Sequence, residues 1–202
     1  MLTHAWGILA HPQREWKRIR AERETITHLY EHHVLLLAAV PVLCSYIGTT
    51  QVGWSLGGDT VIRLGYLDAL GAGIAFYLVI LSAVYVVGRV IRAMARRFTR
   101  PPSLRRCIVF AGYVATPMFL SGVVAVYPLV WLCLLAGTVG LGYTAYLLYL
   151  GIPSFLGISR EEGFIVSSTT LAIGVLVLEA LLGMTVLLWG YGERILLSLL
   201  GG

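Results

Sequence analysis

The side chains best suited to metal chemistry are the histidines, all five of which precede residue 34. His28 and His32 are four residues apart, so on a helix they share one face, and Glu24 lies one turn before them. Imidazole and carboxylate groups bind Zn²⁺, Ni²⁺ and Cu²⁺, which makes Glu24, His28 and His32 a candidate metal site. The alternative, which we favour, is that these rings lie at headgroup depth where a helix enters a membrane. A pH sensor using His28, His32 and His33 is a minor third interpretation.

A second candidate is Glu179, which lies past the middle of an apolar run in the segment VLEALLG. A charged side chain at that depth costs roughly 2.5–3.5 kcal/mol on insertion scales, so such a residue is a functional-site hypothesis. Asp68, near the outer end of another apolar run, is the other acidic residue close to lipid. An ion relay needs several polar groups in series. We therefore favour a protonated Glu179 that makes one hydrogen bond between helices over a proton or ion path.

The composition indicates a membrane protein. Of 202 residues, 58% are hydrophobic and 12% are charged, and the mean hydropathy is +0.83. A soluble domain is closer to half apolar and a quarter charged. The net charge of +5 comes from basic residues at the ends of apolar runs, a pattern typical of membrane topology and lipid headgroup contact. This distribution argues against nucleic-acid binding.

Five apolar runs are long enough to cross a bilayer, which takes about 20 residues in a helix. They cover about 33–52, 66–88, 104–126, 129–150 and 164–189. Because lipid leaves no water to satisfy the backbone, these runs predict helices. The predicted fold is an all-α polytopic membrane protein, a bundle of five transmembrane helices spanning 33–190. A cytosolic arm, 1–32, precedes the bundle, and a short external tail, 191–202, follows it.

The arm carries apolar residues at loosely helical spacing among basic ones, and Pro12 suits the first turn of a helix. This pattern predicts an amphipathic helix lying on the inner membrane surface, and a solvated cytosolic segment is the alternative. The apolar residues concerned are Trp6, Leu9, Trp16, Ile19 and Ile26.

Charge predicts the topology. Basic residues are dense in the arm and in the connection 89–106, whereas the connection between the third and fourth runs has no charge. The positive-inside rule then places the arm and the connections 89–106 and 151–163 in the cytoplasm and the tail outside. The predicted contacts for anionic lipid or a protein partner are Arg92, Arg96, Arg97 and Arg100.

Small residues spaced four apart, such as Gly71 with Ala75 and Ala136 with Gly140, let helices approach closely within a bundle or between protomers. Pro41 and Pro117 lie inside predicted spans, where each removes a backbone hydrogen bond and predicts a kink.

Four stretches resemble the Ypt-interacting-protein (YIP) family, in particular its short bacterial branch. They are WGILAHPQREWKRI at 6–19, GYVATPMF at 112–119, YLLYLGIP at 146–153 and SREEGF at 159–164. The resemblance implies five spans, a cytosolic N-terminus and an external C-terminus, in a bacterial inner membrane. Eukaryotic members are linked to Rab-type GTPases and vesicle traffic, and their cytosolic region carries an acidic Asp-Leu-Tyr-Gly-Pro stretch that this chain lacks.

The sequence contains no phosphate-binding loop, nucleophile elbow or cofactor fingerprint, so we expect neither an enzyme nor a cofactor. The favoured hypothesis is a membrane scaffold or adaptor that forms a homo-oligomer and meets anionic lipid or a protein partner on the cytosolic face. The alternative is a small transporter or channel for an ion or metal that uses Glu179, with His28 and His32 at its mouth.

Overall fold

The computed structural model describes residues 2–22, 24–53, 61, 63–96, 101–159 and 161–176, and the regular elements in this part of the chain are helices. Four of them, α3 to α6, are long and apolar enough to cross a membrane, which confirms the all-α polytopic fold. The fifth predicted span begins in α7, but its remainder lies outside the described residues, so the count of five stays a prediction. The helices are α1 Leu2–Ala10, α2 Pro12–Glu22, α3 Ile26–Val52, α4 Tyr66–Ala95, α5 Leu104–Val126, α6 Val130–Leu156 and α7 161–176.

Helix α3 begins at Ile26, before the span start predicted at residue 33. Thr25 caps it, because its hydroxyl oxygen accepts a hydrogen bond from the backbone N–H of His28 at 3.2 Å. The polar segment THLYEHH therefore belongs to the helix itself, and its second half forms a π-helical turn, Tyr30–Val34.

Helix α5 is broken, as Pro117 predicts. Its first part ends at Val114, and a second short helix, Thr116–Ser121, begins after Ala115. Proline lacks a backbone N–H and its ring collides with the preceding turn, which explains the break. Helix α3 continues through Pro41, and Gly122 of α5 packs on that proline, where an added Cβ would lie 2.3 Å from Pro41 Cβ.

Helix α5 forms the centre of the bundle, whereas α4 and α6 are peripheral. The residues of α5 from Cys107 to Val114 are all buried. In the second half of α4, a stripe of Val84, Gly88, Ile91 and Ala95 is buried, and Gly88 fits closely against the backbone of Ile108. Most of the remaining surface of α4 is exposed to the surroundings, which for this fold is lipid.

The arm is a hairpin of two helices, α1 and α2, that packs on the bundle. Trp16 of α2 is fully buried, with its ring centroid 4.8 Å from that of Phe110 and 5.4 Å from that of Phe155. Gly151 leaves room for it, since a Cβ there would lie 2.4 Å from Phe110 Cε2 and 2.8 Å from Trp16 Cε2. The prediction of an amphipathic arm holds for α2, but its apolar face meets protein rather than the membrane surface. The reason is that the bundle offers an aromatic groove at the same end.

We call this end the arm end of the bundle: α1, α2, the start of α3, the start of α5 and the end of α6. Arg20 of α2 donates to the carbonyl of Ser154 at 2.9 Å, and Arg92 of α4 donates to the carbonyl of Pro102. Ser154, at the end of α6, therefore lies against the arm, and Pro102, just before α5, lies against the end of α4.

Candidate functional site at the arm end

Polar side chains from the arm, α3 and α5 converge at the arm end, and all but the more exposed His28 and Glu22 are largely shielded from the surroundings. We call them the arm-end cluster: His4, Glu15, Glu22, Glu24, His28, His33, Tyr113 and Thr116.

The first half of the cluster ties α1 to α2. His4 Nδ1 lies 2.5 Å from Glu15 Oε1, and His4 Nε2 lies 3.3 Å from Glu22 Oε2. The side chains of His4 and Glu15 are 17% and 10% exposed, so this contact is largely shielded from solvent. Gly7 makes the close approach possible, because a Cβ at that position would lie 2.5 Å from Glu15 Oε2.

The second half ties the residues that precede and begin α3 to the central helix α5. The hydroxyl of Tyr113 on α5 donates to Glu24 Oε2 at 2.7 Å, and Glu24 Oε1 lies 2.9 Å from His28 Nδ1 on α3. The Glu24 side chain is only 7% exposed. A buried carboxylate needs such partners, because its desolvation is otherwise expensive. Glu24 thus joins the start of α3 to the central helix.

His33 occupies a third position, inside the protein. It is 4% exposed, its Nε2 lies 2.9 Å from the Thr116 hydroxyl, and its ring centroid lies 4.4 Å from that of Tyr113. Thr116 immediately precedes Pro117, so His33 anchors α3 at the point where α5 breaks. His33 therefore faces the protein interior, unlike its neighbour His32, which is exposed. Periodicity could not reveal this, because the ring meets a side chain 83 residues away.

The residues of the predicted metal site lie side by side, but as a hydrogen-bonded row. The rings of His28 and His32 stack, with centroids 4.4 Å apart and planes at 27°. His28 Nδ1 faces Glu24, and His32 Nδ1 lies 3.2 Å from the His28 carbonyl oxygen. Within the described ranges, no group of three or more His, Cys, Asp or Glu side chains is arranged to hold a metal ion. The geometry supports a structural role for these histidines.

The other predicted site residues are distributed widely. Asp68 is exposed on the first turn of α4, where a carboxylate interacts favourably with the helix dipole. Arg92 is half-buried and bonded to the Pro102 carbonyl, whereas Arg96 is exposed at the end of α4. Three predicted residues lie outside the described part of the chain: Arg97, Arg100 and Glu179.

Sequence reasoning missed five members of the cluster, which are His4, Glu15, Glu22, Tyr113 and Thr116. One signal was available for Glu15: it stands four residues before Ile19, so it lies on the face of α2 that turns towards the core. A carboxylate on such a face predicts a buried polar partner. Tyr113 gave no comparable signal, since one tyrosine in an apolar helix is ordinary.

Several buried hydroxyls of the described spans bond within their own helix, whereas the Thr170 hydroxyl has no partner among the described groups. Thr49 donates to the Ser45 carbonyl at 2.8 Å, and Thr50 donates to the Tyr46 carbonyl at 2.7 Å. Ser167 likewise donates to a carbonyl of its own helix, at 2.8 Å. These bonds are the usual way for a hydroxyl to remain in an apolar helix bundle.

The fold and the arm-end cluster together define a class: a multi-pass helical membrane protein whose N-terminal arm packs on one end of the bundle through Trp16, beside a cluster of polar contacts. The Yip1 domain matches residues 6–181 of the chain. The chain is 61% identical over 194 residues to the inner membrane protein YohC of Escherichia coli strain K12, covering 96% of this chain and all of that protein. The inner membrane protein YohC of E. coli O6:H1 strain CFT073 matches equally.

This chain therefore belongs to the Yip1 family, and the resemblance noted in the sequence is confirmed. It is a multi-pass protein of the inner membrane. No solved structure matches it.

Proposed function

We propose that this protein is a non-enzymatic scaffold or adaptor of the inner membrane, with its arm end in the cytoplasm. The observation that carries the proposal is that the buried polar groups of the described chain bond mainly to one another. The arm-end cluster joins helices, and Thr49, Thr50 and Ser167 bond to carbonyls of their own helices. The buried Thr170 hydroxyl, which has no partner among the described groups, is the exception. Such an interior favours a rigid bundle that presents its surfaces over one that conducts a substrate.

The surface that we assign to partner contact is the basic end of α4. Arg96 is exposed there, and Arg92 is fixed by its bond to the Pro102 carbonyl. Arg97 and Arg100 follow in the sequence, so four arginines lie within nine residues. Arginine suits this role because its planar guanidinium can bind carboxylate or phosphate groups in a bidentate manner.

Site-specific cross-linking tests the proposal. A photoreactive phenylalanine analogue placed at Arg96 is expected to form a discrete protein adduct in intact cells. The same analogue placed at Leu67, which is 84% exposed on the lipid-facing part of α4, serves as the control. Replacement of Arg92, Arg97 and Arg100 by Gln in the Arg96 probe variant should abolish the adduct. Lipid adducts alone, or equal protein adducts at both positions, would contradict the adaptor role.

Self-association is the second part of the proposal, and the outer half of α4 is its expected surface. Gly71 and Ala75 are exposed on this helix, and nothing lies within 4 Å of a Cβ built at Gly71. Gly71→Leu should therefore leave the monomer intact while separating two copies that meet there. Native mass spectrometry should show a homo-oligomer for the unaltered chain and a shift towards monomer for the variant. Gly174, which is also open, offers a control position on another helix.

Transport of an ion or metal is the alternative, and it depends on Glu179 together with His28 and His32. A flux assay in proteoliposomes distinguishes the two functions. The scaffold proposal expects proton and divalent-cation flux equal to that of protein-free liposomes, both for the unaltered chain and for Glu179→Gln. Flux that the unaltered chain supports and Glu179→Gln abolishes would establish transport and overturn the scaffold proposal.

A further inference from the structure

A groove of about 600 Å³ opens between α2 of the arm and the arm-end parts of α6 and α7. Its volume falls within the range of roughly 300–1,000 Å³ that is usual for small-molecule sites. The lining residues are Gln13, Lys17, Tyr149, Leu150, Pro153, Ser154 and Phe164. None of them belongs to the arm-end cluster or to the arginines at the end of α4.

The two walls of the groove differ in chemistry. The α2 wall contributes an amide, Gln13, and an ammonium group, Lys17, both on exposed residues. The opposite wall contributes mainly apolar and aromatic surface, including Tyr149 and Phe164, whose ring centroids are 5.4 Å apart. Phe164 is 61% exposed and its neighbour Ile165 is 65% exposed, so this wall continues onto the lipid-facing surface.

Lys17 is the single lysine of the chain. Among the residues that the structure describes, no carboxylate lies within ion-pair distance of its ammonium group. Arg18, the next residue, differs in this respect, since it pairs with Glu22 at 3.2 Å. The groove therefore holds one positive charge whose counter-ion is not supplied by the described protein.

The polar groups of the opposite wall are already engaged. The Tyr149 hydroxyl lies 2.9 Å from the Ser168 hydroxyl, and the Ser154 hydroxyl donates to the Leu150 carbonyl at 2.7 Å. The Ser154 carbonyl accepts from Arg20 at 2.9 Å. This last bond joins the two walls, and Trp16 is buried on the other side of α2. The geometry is that of a preformed site, in which little ordering is needed on binding.

From these observations we infer that the groove binds one acidic phospholipid. Its phosphate meets Lys17 and Gln13, and an acyl chain follows Leu150 and Phe164 towards the bilayer. A zwitterionic lipid has no net charge to complement Lys17, and a soluble anion has no chain to cover the apolar wall. Tyr149 stands at the boundary between the two regions, the depth at which tyrosine is enriched in membrane proteins. The inference does not depend on the scaffold role.

Native mass spectrometry of the full chain in detergent tests the inference, with phosphatidylglycerol and phosphatidylcholine of identical acyl chains as probes. The unaltered chain is expected to retain one phosphatidylglycerol molecule in preference to phosphatidylcholine. Lys17→Gln should weaken that retention at least about fivefold, the effect of losing one cation near a membrane surface. Lys17→Arg should restore most of it. Arg14→Gln removes an equal charge from an exposed position on the same helix outside the groove, and it should have no comparable effect.

Two further sets of measurements identify the source of the anion and examine the apolar wall. Glycerol 3-phosphate and inorganic phosphate carry the headgroup charge without acyl chains and should not displace the lipid. Phe164→Asn should weaken retention while Lys17 remains in place. Equal retention of both lipids, or equal losses in Lys17→Gln and Arg14→Gln, would overturn the site. Displacement by either soluble phosphate would overturn its assignment to a lipid.

Discussion

The docking of the arm depends on Trp16, and Trp16→Ala should release the arm from the bundle. Burial of a tryptophan side chain removes about 150–250 Å² of surface area from contact with solvent. At about 25 cal/mol per Å², this corresponds to roughly 4–6 kcal/mol, an upper bound because the unfolded chain also buries some surface. Tryptophan to alanine substitutions in protein cores cost about 3–5 kcal/mol, in agreement with that bound. Trp16 is fully buried between two aromatic rings, so we expect Trp16→Ala to cost about 3–5 kcal/mol.

A loss of about 3–5 kcal/mol raises the population of the open arm by roughly two to four orders of magnitude, since 1.4 kcal/mol is tenfold. Hydrogen exchange of the protein in lipid nanodiscs, followed by mass spectrometry, measures this directly over residues 2–22. The amides of α1 and α2 should exchange faster in Trp16→Ala, while those of the α5 interior should be affected far less, because α5 keeps its contacts with α3 and α4.

Two matched variants make the test decisive. Trp6→Ala alters a tryptophan of the same arm that is 73% exposed, and it should change exchange little. Trp16→Phe keeps an aromatic ring between Phe110 and Phe155, and it removes an indole N–H that has no partner among the described groups. It should keep most of the protection. If Trp6→Ala and Trp16→Ala accelerated exchange equally, the arm would be lying on the lipid surface, and docking onto protein would be refuted.

Three further predictions concern the arm end. Gly151→Ala should destabilise the protein by about 1–3 kcal/mol, because the added methyl group collides with rigid aromatic rings, and the midpoint of thermal unfolding should fall accordingly. Tyr113→Phe should lower the free energy of unfolding by about 1.5–3 kcal/mol, since it removes a hydrogen bond to the buried Glu24 carboxylate; the same unfolding assay measures it. Zn²⁺ and Ni²⁺ titrated by calorimetry into chelator-treated protein should bind no more tightly than to a His28→Ala/His32→Ala variant, because these rings stack instead of converging.

Each of these predictions has a control or a contrary outcome. Gly142→Ala adds a methyl group where nothing lies within 4 Å, so its unfolding should match that of the unaltered chain. Tyr146→Phe alters a tyrosine that is 48% exposed and should be nearly neutral. Equal destabilisation by the tyrosine pair would argue against the carboxylate contact. Stoichiometric metal binding that the double histidine variant loses would contradict the structural role assigned to those histidines.

Several features follow from local chemistry and were predictable. The apolar runs define helices because lipid offers no alternative partner for the backbone, and five of the eight described helix ends lie within one residue of the predicted ones. Helices α4 and α6 run seven and six residues past the predicted ends, and α3 starts seven residues before the predicted start. A hydrophobic window finds the first apolar residue, whereas the helix begins at the Thr25 cap, where the backbone hydrogen bonds begin. The break near Pro117 was also predictable, because proline acts on the backbone within one turn.

The arm shows where local reasoning ends. Its amphipathic pattern was visible, but a membrane surface and an aromatic groove both bury an apolar face, and the pattern is the same for either. The aromatic groove that holds Trp16 is formed by Phe110, Phe155 and Gly151, which come from two later helices. Only their juxtaposition created a protein surface to which Trp16 binds.

The sequence by itself determined the class of protein, which is an all-α membrane bundle with a basic arm. It also indicated the family, which the comparisons confirmed. Composition, apolar run length and terminal charge suffice for this, because each reflects the interaction of a residue with solvent or lipid. The tertiary structure alone decided which polar residues meet. His33 with Thr116, and Glu24 with Tyr113, are separated by 83 and 89 residues. Such contacts depend on the packing of whole helices, so they cannot be predicted from the periodicity of a single helix.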